Sequence, residues 1–287
     1  MLSTRQIRRR IRSVGNIERL TSALKMVAGA RLRRLQQRVE AGRAYADKMQ
    51  EIMRRLAAHA GEVEHPLLEV REPARRGLVV MSSMRGLCGS YAHNIHRLGE
   101  AQLKEIVEEG REPVLITVGR KGREYFSRRG YRISQSFDRL SAESSHAEIR
   151  VTAERLRKMY EEKEVDRLEI AYTRFLSVGR QAATVTQLLP LPRPEEREVG
   201  EGEYIFEPPP AELFRLLLPR YIDDTFRHFL SQATASEQAA RAMAMSQASE
   251  NAREMTEKLT LQYNKSRQAS ITAELLDVVA GAEAQKG

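Results

Sequence analysis

From Tyr221 to Ala280 the chain runs for about sixty residues without a glycine or a proline, and no other feature limits its possible folds so strongly. Ala, Glu, Gln, Lys, Arg, Met and Leu dominate the run, so it reads as one uninterrupted helix. At about 1.5 Å per residue that helix is a rod of roughly 90 Å. Globular helices average about 11 to 12 residues, and a lone rod has no core in which to hide a face. Another element must therefore run alongside it.

The beginning of the chain offers one. A second long helix can be written from Ser3 to Ala58, with Ile7, Ile11, Val14, Ala28, Leu32, Leu35, Val39, Ala46, Met49, Met53 and Leu56 on an alternating four-three step. That is a coiled-coil seam. The step fails between Glu18 and Lys25, where Ile17, Leu20 and Leu24 are the apolar residues, which predicts a seam that shifts around the helix there. Gly15 and Gly29 each cost about 1 kcal/mol relative to Ala inside a helix, so close approach of a neighbouring backbone is expected at both. Helices at opposite ends of a chain with a folded middle pair most simply as antiparallel partners.

Between them the pattern changes. Gly61 to Pro73 reads as a connector, and Gly77–Ser82, Pro113–Val118, Arg167–Phe175 and Ala183–Leu189 as strands, with Tyr131–Ser134 as an edge strand. Helical patterns cover Tyr91–Glu109, Arg120–Arg129 and His146–Lys163. Strands alternating with helices predict a small Rossmann-like α/β sheet covered by helices, ending in an antiparallel hairpin. Arg193 to Pro210 is a charged, proline-rich surface loop, and Pro219 should kink the last helix or mark its start. The chain thus divides into a coiled-coil helix over 1–60, a central α/β domain over 75–200 and a second coiled-coil helix over 210–287. The fold class is α/β plus a long antiparallel two-helix coiled coil.

Charge and motifs exclude more than they nominate. Net charge is +9, yet Met1 to Ala57 alone holds 13 Arg and 2 Lys against 3 Glu and 1 Asp, so the first helix carries the basic excess. Arg5, Arg8, Arg9, Arg10 and Arg12 crowd a helix N-terminus that is already partly positive, at about 0.3 to 1 kcal/mol each when exposed. An acidic protein surface or a nucleic acid would explain them, as would a solvated charged face. The first 44 residues lack any aromatic for base stacking, and no DNA- or RNA-binding signature occurs. An Arg-rich start can mimic a transit peptide, but a seam beginning at Ile7 leaves no room for a removable leader. Cys88 is the single cysteine, so no internal disulfide forms, and no apolar run is long enough to span a bilayer. RGLCGS, after the first strand, has neither the GxGxxG nor the P-loop spacing. Cys88, His93 and His96 lack a fourth ligand at sensible spacing and read as a buried thiol and surface histidines. Nothing nominates a catalytic, metal or cofactor group. The alanines from Ala233 to Ala252 lie on all faces of the last helix and make a thin cylinder suited to a narrow sleeve.

With these residues the sequence resembles a known family. RRRIRSVGNIERLTSALKMVAGARLRR is similar to the opening helix of the gamma subunits of F-type ATP synthases. ASEQAARAMAMSQASENAREM and LTLQYNKSRQASITAELLDVVAGA are similar to their closing helix, and SSMRGLCGSYAHNI to the loop after their first strand. The resemblance implies a non-catalytic rotor shaft inside a hexamer of alpha and beta subunits, standing on the membrane c ring with an epsilon subunit alongside. It implies no nucleic-acid partner and a peripheral place on the cytoplasmic side of a bacterial plasma membrane. By matching motif it puts Met26 and Arg241 opposite an acidic loop of beta. Arg267, Gln268, Thr272 and Glu274 resemble the polar cluster that catches a beta subunit, and Tyr204 and Glu207 the foot on the c ring. Plastid members carry an inserted cysteine pair that this chain lacks, so thiol control is not expected.

Overall fold

The computed structural model describes residues 3–59, 65–191 and 207–284. Residues 29–241 form one unit, and the stretches up to Ala28 and from Ala242 form another. Two helices run through both: α1 (Thr4–His59) and α5 (Pro210–Ala284).

The larger unit is built on a five-stranded sheet. Its strands are β1 (Arg75–Met81), β2 (Glu112–Val118), β3 (Ile133–Phe137), β4 (Arg167–Ser177) and β5 (Arg180–Leu189), in the order β3-β2-β1-β4-β5. β1 to β4 are parallel, and β5 closes one edge as the antiparallel arm of a hairpin. β1 is buried on both faces after its first residue and apolar from Leu78 to Met81, as a central parallel strand should be, with the buried Arg76 paired to Glu169 and Glu109. Leu78 and Val80 point one way, into Ile95, Leu103 and Ile106 of α2 (Tyr91–Glu108) and Phe126 of α3 (Arg120–Arg128). Val79 and Met81 point the other way, into α4 (His146–Glu161), the α1 residues Met49, Met53 and Leu56, and the α5 residues Phe214, Leu218, Ile222 and Phe226. α4 begins at a capping box in which Ser145 and Glu148 satisfy each other's backbone amides.

Within this unit α1 and α5 run antiparallel. Leu32, Leu35 and Val39 pack with Ala235 and Ala239, and a side chain at Gly42 would meet His228. Ala235 and Ala239 are wholly buried here, so these two alanines serve close helix packing rather than the thin profile their scatter suggests. Ala46 belongs to the expected seam, but its side chain lies outside the described residues. α5 begins at Pro210, so Pro219 is an interior residue and not the start. A proline there removes the amide that would bond the carbonyl four residues back. The buried row Phe214, Leu218, Ile222 and Phe226, one residue per turn, anchors the helix across that gap.

The smaller unit contains the start of α1 and the end of α5. Arg8 donates through Nη2 to the Tyr263 hydroxyl at 2.5 Å and lies 5.3 Å from the ring centroid. Ile7, Ala28, Met245 and Ala252 are buried. Between Glu18 and Lys25 the seam does not move around α1. Thr21 is the buried residue, its hydroxyl donating to the carbonyls of Ile17 and Glu18, while Ile17 and Leu20 are exposed. A helical hydroxyl that bonds its own preceding turn needs no other partner, so a polar residue holds the seam position.

The glycines depart from expectation as well. Nothing lies within 4 Å of where a Cβ would sit on Gly15 or Gly29, so the chain's own backbone approaches neither. The constrained glycine is Gly119, at φ +90° between β2 and α3, where a Cβ would fall 2.3 Å from the Ser82 carbonyl oxygen. Gly119→Ala should therefore cost the isolated chain about 3 kcal/mol or more. Gly15→Ala should gain about 0.5 to 1 kcal/mol. Urea unfolding of the two variants against the parent checks both signs.

Candidate functional site

Open α/β sheets bind ligands outside the carboxyl ends of their strands, where the strand order reverses. Here the reversal lies between β1, from which β2 and β3 build outward, and β4, which carries β5 on the other side. The chain fills that position itself. Along α5, Gln232 accepts through Oε1 from the Phe175 amide at 2.9 Å, and Thr234 accepts through its hydroxyl from the Ala142 amide at 3.1 Å. Ser236 donates to the Thr173 carbonyl at 3.0 Å. From the other side the Tyr91 hydroxyl, at the start of α2, donates to the Ala233 carbonyl at 3.1 Å. Three of these bonds tie α5 side chains to backbone groups in the carboxyl-terminal half of β4 and in the segment before α4, the fourth ties α2 to the backbone of α5, and each of these α5 residues is buried. A polar turn of helix therefore lies across the carboxyl end of β4, at the position that sheets of this class otherwise leave open to a ligand.

Arg241 completes this docking. It pairs with Glu237 at 2.6 Å and donates to the carbonyls of Arg85 and Gly86 at 3.2 and 3.3 Å. Burial pushes the Glu237 carboxyl up from its ordinary value, and the charge and hydrogen bond of Arg241 pull it back down. The RGLCGS loop is thus held by an arginine of the chain's own last helix. Sequence reading missed Gln232, Thr234, Ser236 and Glu237. The available signal was a helical stretch, Ser231–Gln238, with three hydroxyl residues, two glutamines and a single charge.

The other candidates are spread out. Met26 is 67% exposed on α1. Arg267, Gln268, Thr272 and Glu274 are all exposed on α5, where the Thr272 hydroxyl donates to the Gln268 carbonyl at 2.9 Å. Arg267 and Glu274 are seven residues apart and share a face, as do Gln268 and Thr272, four apart. Glu207 is exposed just before α5, and Tyr204 lies outside the described residues. Of the arginines at the start of α1, Arg8 is engaged with Tyr263, and Arg5, Arg9, Arg10 and Arg12 are exposed.

The histidine and cysteine reading changes in part. His93 is exposed and Cys88 is buried, as expected, but His96 is buried too. Its Nε2 lies 2.7 Å from Ser82 Oγ, and its ring stacks on Tyr125 at 4.4 Å. Among the described residues no three His, Cys, Asp or Glu side chains converge to hold a metal. No described helix is long and apolar enough to cross a membrane.

Comparison with known proteins agrees along the whole length. A family model described as ATP synthase matches residues 3–285. The ATP synthase gamma chain of Moorella thermoacetica is 43% identical over 286 residues, covering 100% of both chains. That of Desulfitobacterium hafniense is 40% identical, covering 99% of each. Among solved structures, a chain of the Euglena gracilis mitochondrial ATP synthase (OSCP, F1 and c-ring, rotational state 3) superposes with a TM-score of 0.69 at 19% identity. The match covers 98% of this chain and 94% of that one. A chain of the Tetrahymena thermophila central stalk and c-ring gives 0.59 at 23% identity, covering 80% and 99%. At such identities these two likenesses speak to fold alone.

His96 gives this region a measurable acid sensitivity. Burial lowers its pKa from 6.5 to about 4, helped by the nearby charges of Arg129 and His93. The folded chain keeps the imidazole neutral through a range in which the unfolded chain takes up a proton. Stability is therefore lost as pH falls from 6.5 toward 4, by an amount on the order of 2 kcal/mol. Urea midpoints measured at pH 7, 6 and 5 should fall more steeply for the parent than for His96→Gln.

Proposed function

Because the chain belongs to the ATP synthase gamma-chain family, we propose that it works as the central shaft of a rotary ATP synthase, enclosed by alternating alpha and beta subunits and seated on a c ring beside an epsilon subunit. The supporting observation is that the sheet's ligand position is filled by Gln232, Thr234 and Ser236 of α5. A sheet plugged in this way is a body fixed to a helix, and the reading assigns nucleotide chemistry to the beta subunits. The chain itself is non-catalytic. It sits peripherally on the cytoplasmic side of a bacterial plasma membrane, held there by its complex.

Ion flow through the membrane ring turns the shaft, and the shaft's asymmetry drives the beta sites through different states in turn. ATP hydrolysis runs the same cycle backwards. A single helix would twist under such a load, whereas two helices packed along a seam resist it together. Met26, Arg267, Gln268, Thr272 and Glu274 are beta contacts in this reading, and their exposure suits surfaces that must meet and leave a partner. Arg241 belongs to the same region through its hold on the β1–α2 loop. Tyr204 and Glu207 belong, in the same reading, to the foot on the c ring. Contacts of a turning shaft have to be shallow, because breaking a desolvated ion pair costs several kcal/mol at every step.

Co-expression with alpha and beta subunits, followed by size analysis and an ATP-driven rotation assay, tests the proposal. A complex larger than the hexamer, containing this chain and rotating in ATP, is expected. Arg8→Ala should still rotate, since the exposed Arg8–Tyr263 contact is one weak link among many. Failure to assemble, together with salt-dependent binding of duplex DNA by the free chain, would favour a basic coiled-coil nucleic-acid binder instead.

A further inference from the structure

The β1–α2 loop, residues 82–90, has a conformation that its own sequence does not favour. Leu87 stands at φ +63°, a left-handed conformation that a side chain with a Cβ rarely adopts, and it is 63% exposed. Other residues of the loop go the opposite way: Cys88 and Ser83 are buried, and the Ser83 hydroxyl has no hydrogen-bond partner. A short segment that turns an apolar side chain outward and buries its polar neighbour needs outside support to persist.

Arg241 is placed to supply it. An arginine paired with a glutamate four residues before it is an ordinary surface feature of helices, worth little and loosely held. This pair differs in two respects. Both side chains are nearly buried, at 11% and 12% exposure, and the arginine fork also reaches two consecutive carbonyls, Arg85 and Gly86, about 155 residues away in sequence. The glutamate fixes the guanidinium, and the guanidinium fixes the loop. All three contacts are made by Nη2, whose two N–H groups meet the carboxylate on one side and the pair of carbonyls on the other, a division that the plane of the guanidinium holds fixed and a lysine ammonium on its flexible stem holds much less well.

We infer that Arg241 is a positioning residue, pinning the β1–α2 loop to α5 with Glu237 as its anchor. This adds a role within the chain to the assignment drawn from resemblance, in which Arg241 faces a partner's acidic loop, since the bonds to Glu237, Arg85 and Gly86 all come from Nη2. A sideways load on the loop is then delivered into α5 through this pin, a consequence that rests on the shaft reading. The pin itself is a property of the free chain.

Cys88 is the chain's only cysteine and lies inside the pinned loop, so it reports on loop opening without any added label. The experiment follows reaction of an excess of an aromatic disulfide with the native full-length chain at fixed pH, alongside hydrogen exchange of residues 84–90 and of β2. Arg241→Gln should raise the Cys88 reaction rate about tenfold or more and speed exchange in the loop, with β2 amides unchanged. Arg241→Lys and Glu237→Gln should fall between this variant and the parent. Arg253→Gln, which breaks an exposed pair with Glu257 on the same helix, should match the parent. A rate for Arg241→Gln within twofold of the parent would overturn the pin. Equal loss of protection in β2 and the loop would also overturn it, by showing that Arg241 supports the fold as a whole. No other subunit takes part, so a negative result here leaves the shaft reading standing, and failure to assemble leaves the pin standing.

Discussion

The contact on which the larger unit depends is made by one stretch of α5, from Gln232 to Arg241, which packs with α1 and the sheet. Ala235 and Ala239 let the backbone of α5 come close to Leu32, Leu35 and Val39. Gln232, Thr234 and Ser236 bond backbone groups at the ends of β4 and in the segment before α4. Apolar packing supplies most of the drive for such a contact, and buried hydrogen bonds fix its orientation, since a small rotation of the helix would leave several groups unpaired. A contact of this kind is bonded on one side and dry on the other, and it holds a single alignment. A body that transmits a turning load needs that property.

Its cost is the loss of a ligand site. Folds of this class derive their chemistry from the crevice beyond the strand ends, and here that crevice is filled by the protein itself. Met26, Leu87, Ile271 and Leu275 are exposed apolar side chains on helix or loop surfaces, and Arg267 and Glu274 are exposed charges.

Much of this architecture can be read from the chain because its punctuation is local. The apolar run Gly77–Ser82 reads as a strand and becomes β1, and the helical patterns at Tyr91–Glu109, Arg120–Arg129 and His146–Lys163 fall within two residues of the bounds of α2, α3 and α4. What escaped was tertiary. Thr21 holds a seam position because its hydroxyl bonds its own helix, which apolar periodicity cannot reveal. Pro219 sits inside α5 because four buried apolar side chains outweigh one lost amide, a balance that local propensity omits. Likewise, the partners of Ser236 and Arg241 lie 63 and about 155 residues away, so resemblance could mark Arg241 as important without showing what it touches.

The close approach of α5 to α1 at Ala235 is the most exposed part of this account. Ala235 has no accessible surface and sits among Leu32, Leu35, Val39 and Phe175. Urea unfolding of Ala235→Leu measures that closeness directly. If the helices are packed as described, the larger side chain should destabilise the chain by about 1 to 3 kcal/mol, although leucine is nearly as good a helix former as alanine. Stability equal to or above that of the parent would mean there is room at this point, and that α5 is not seated against α1 and the sheet.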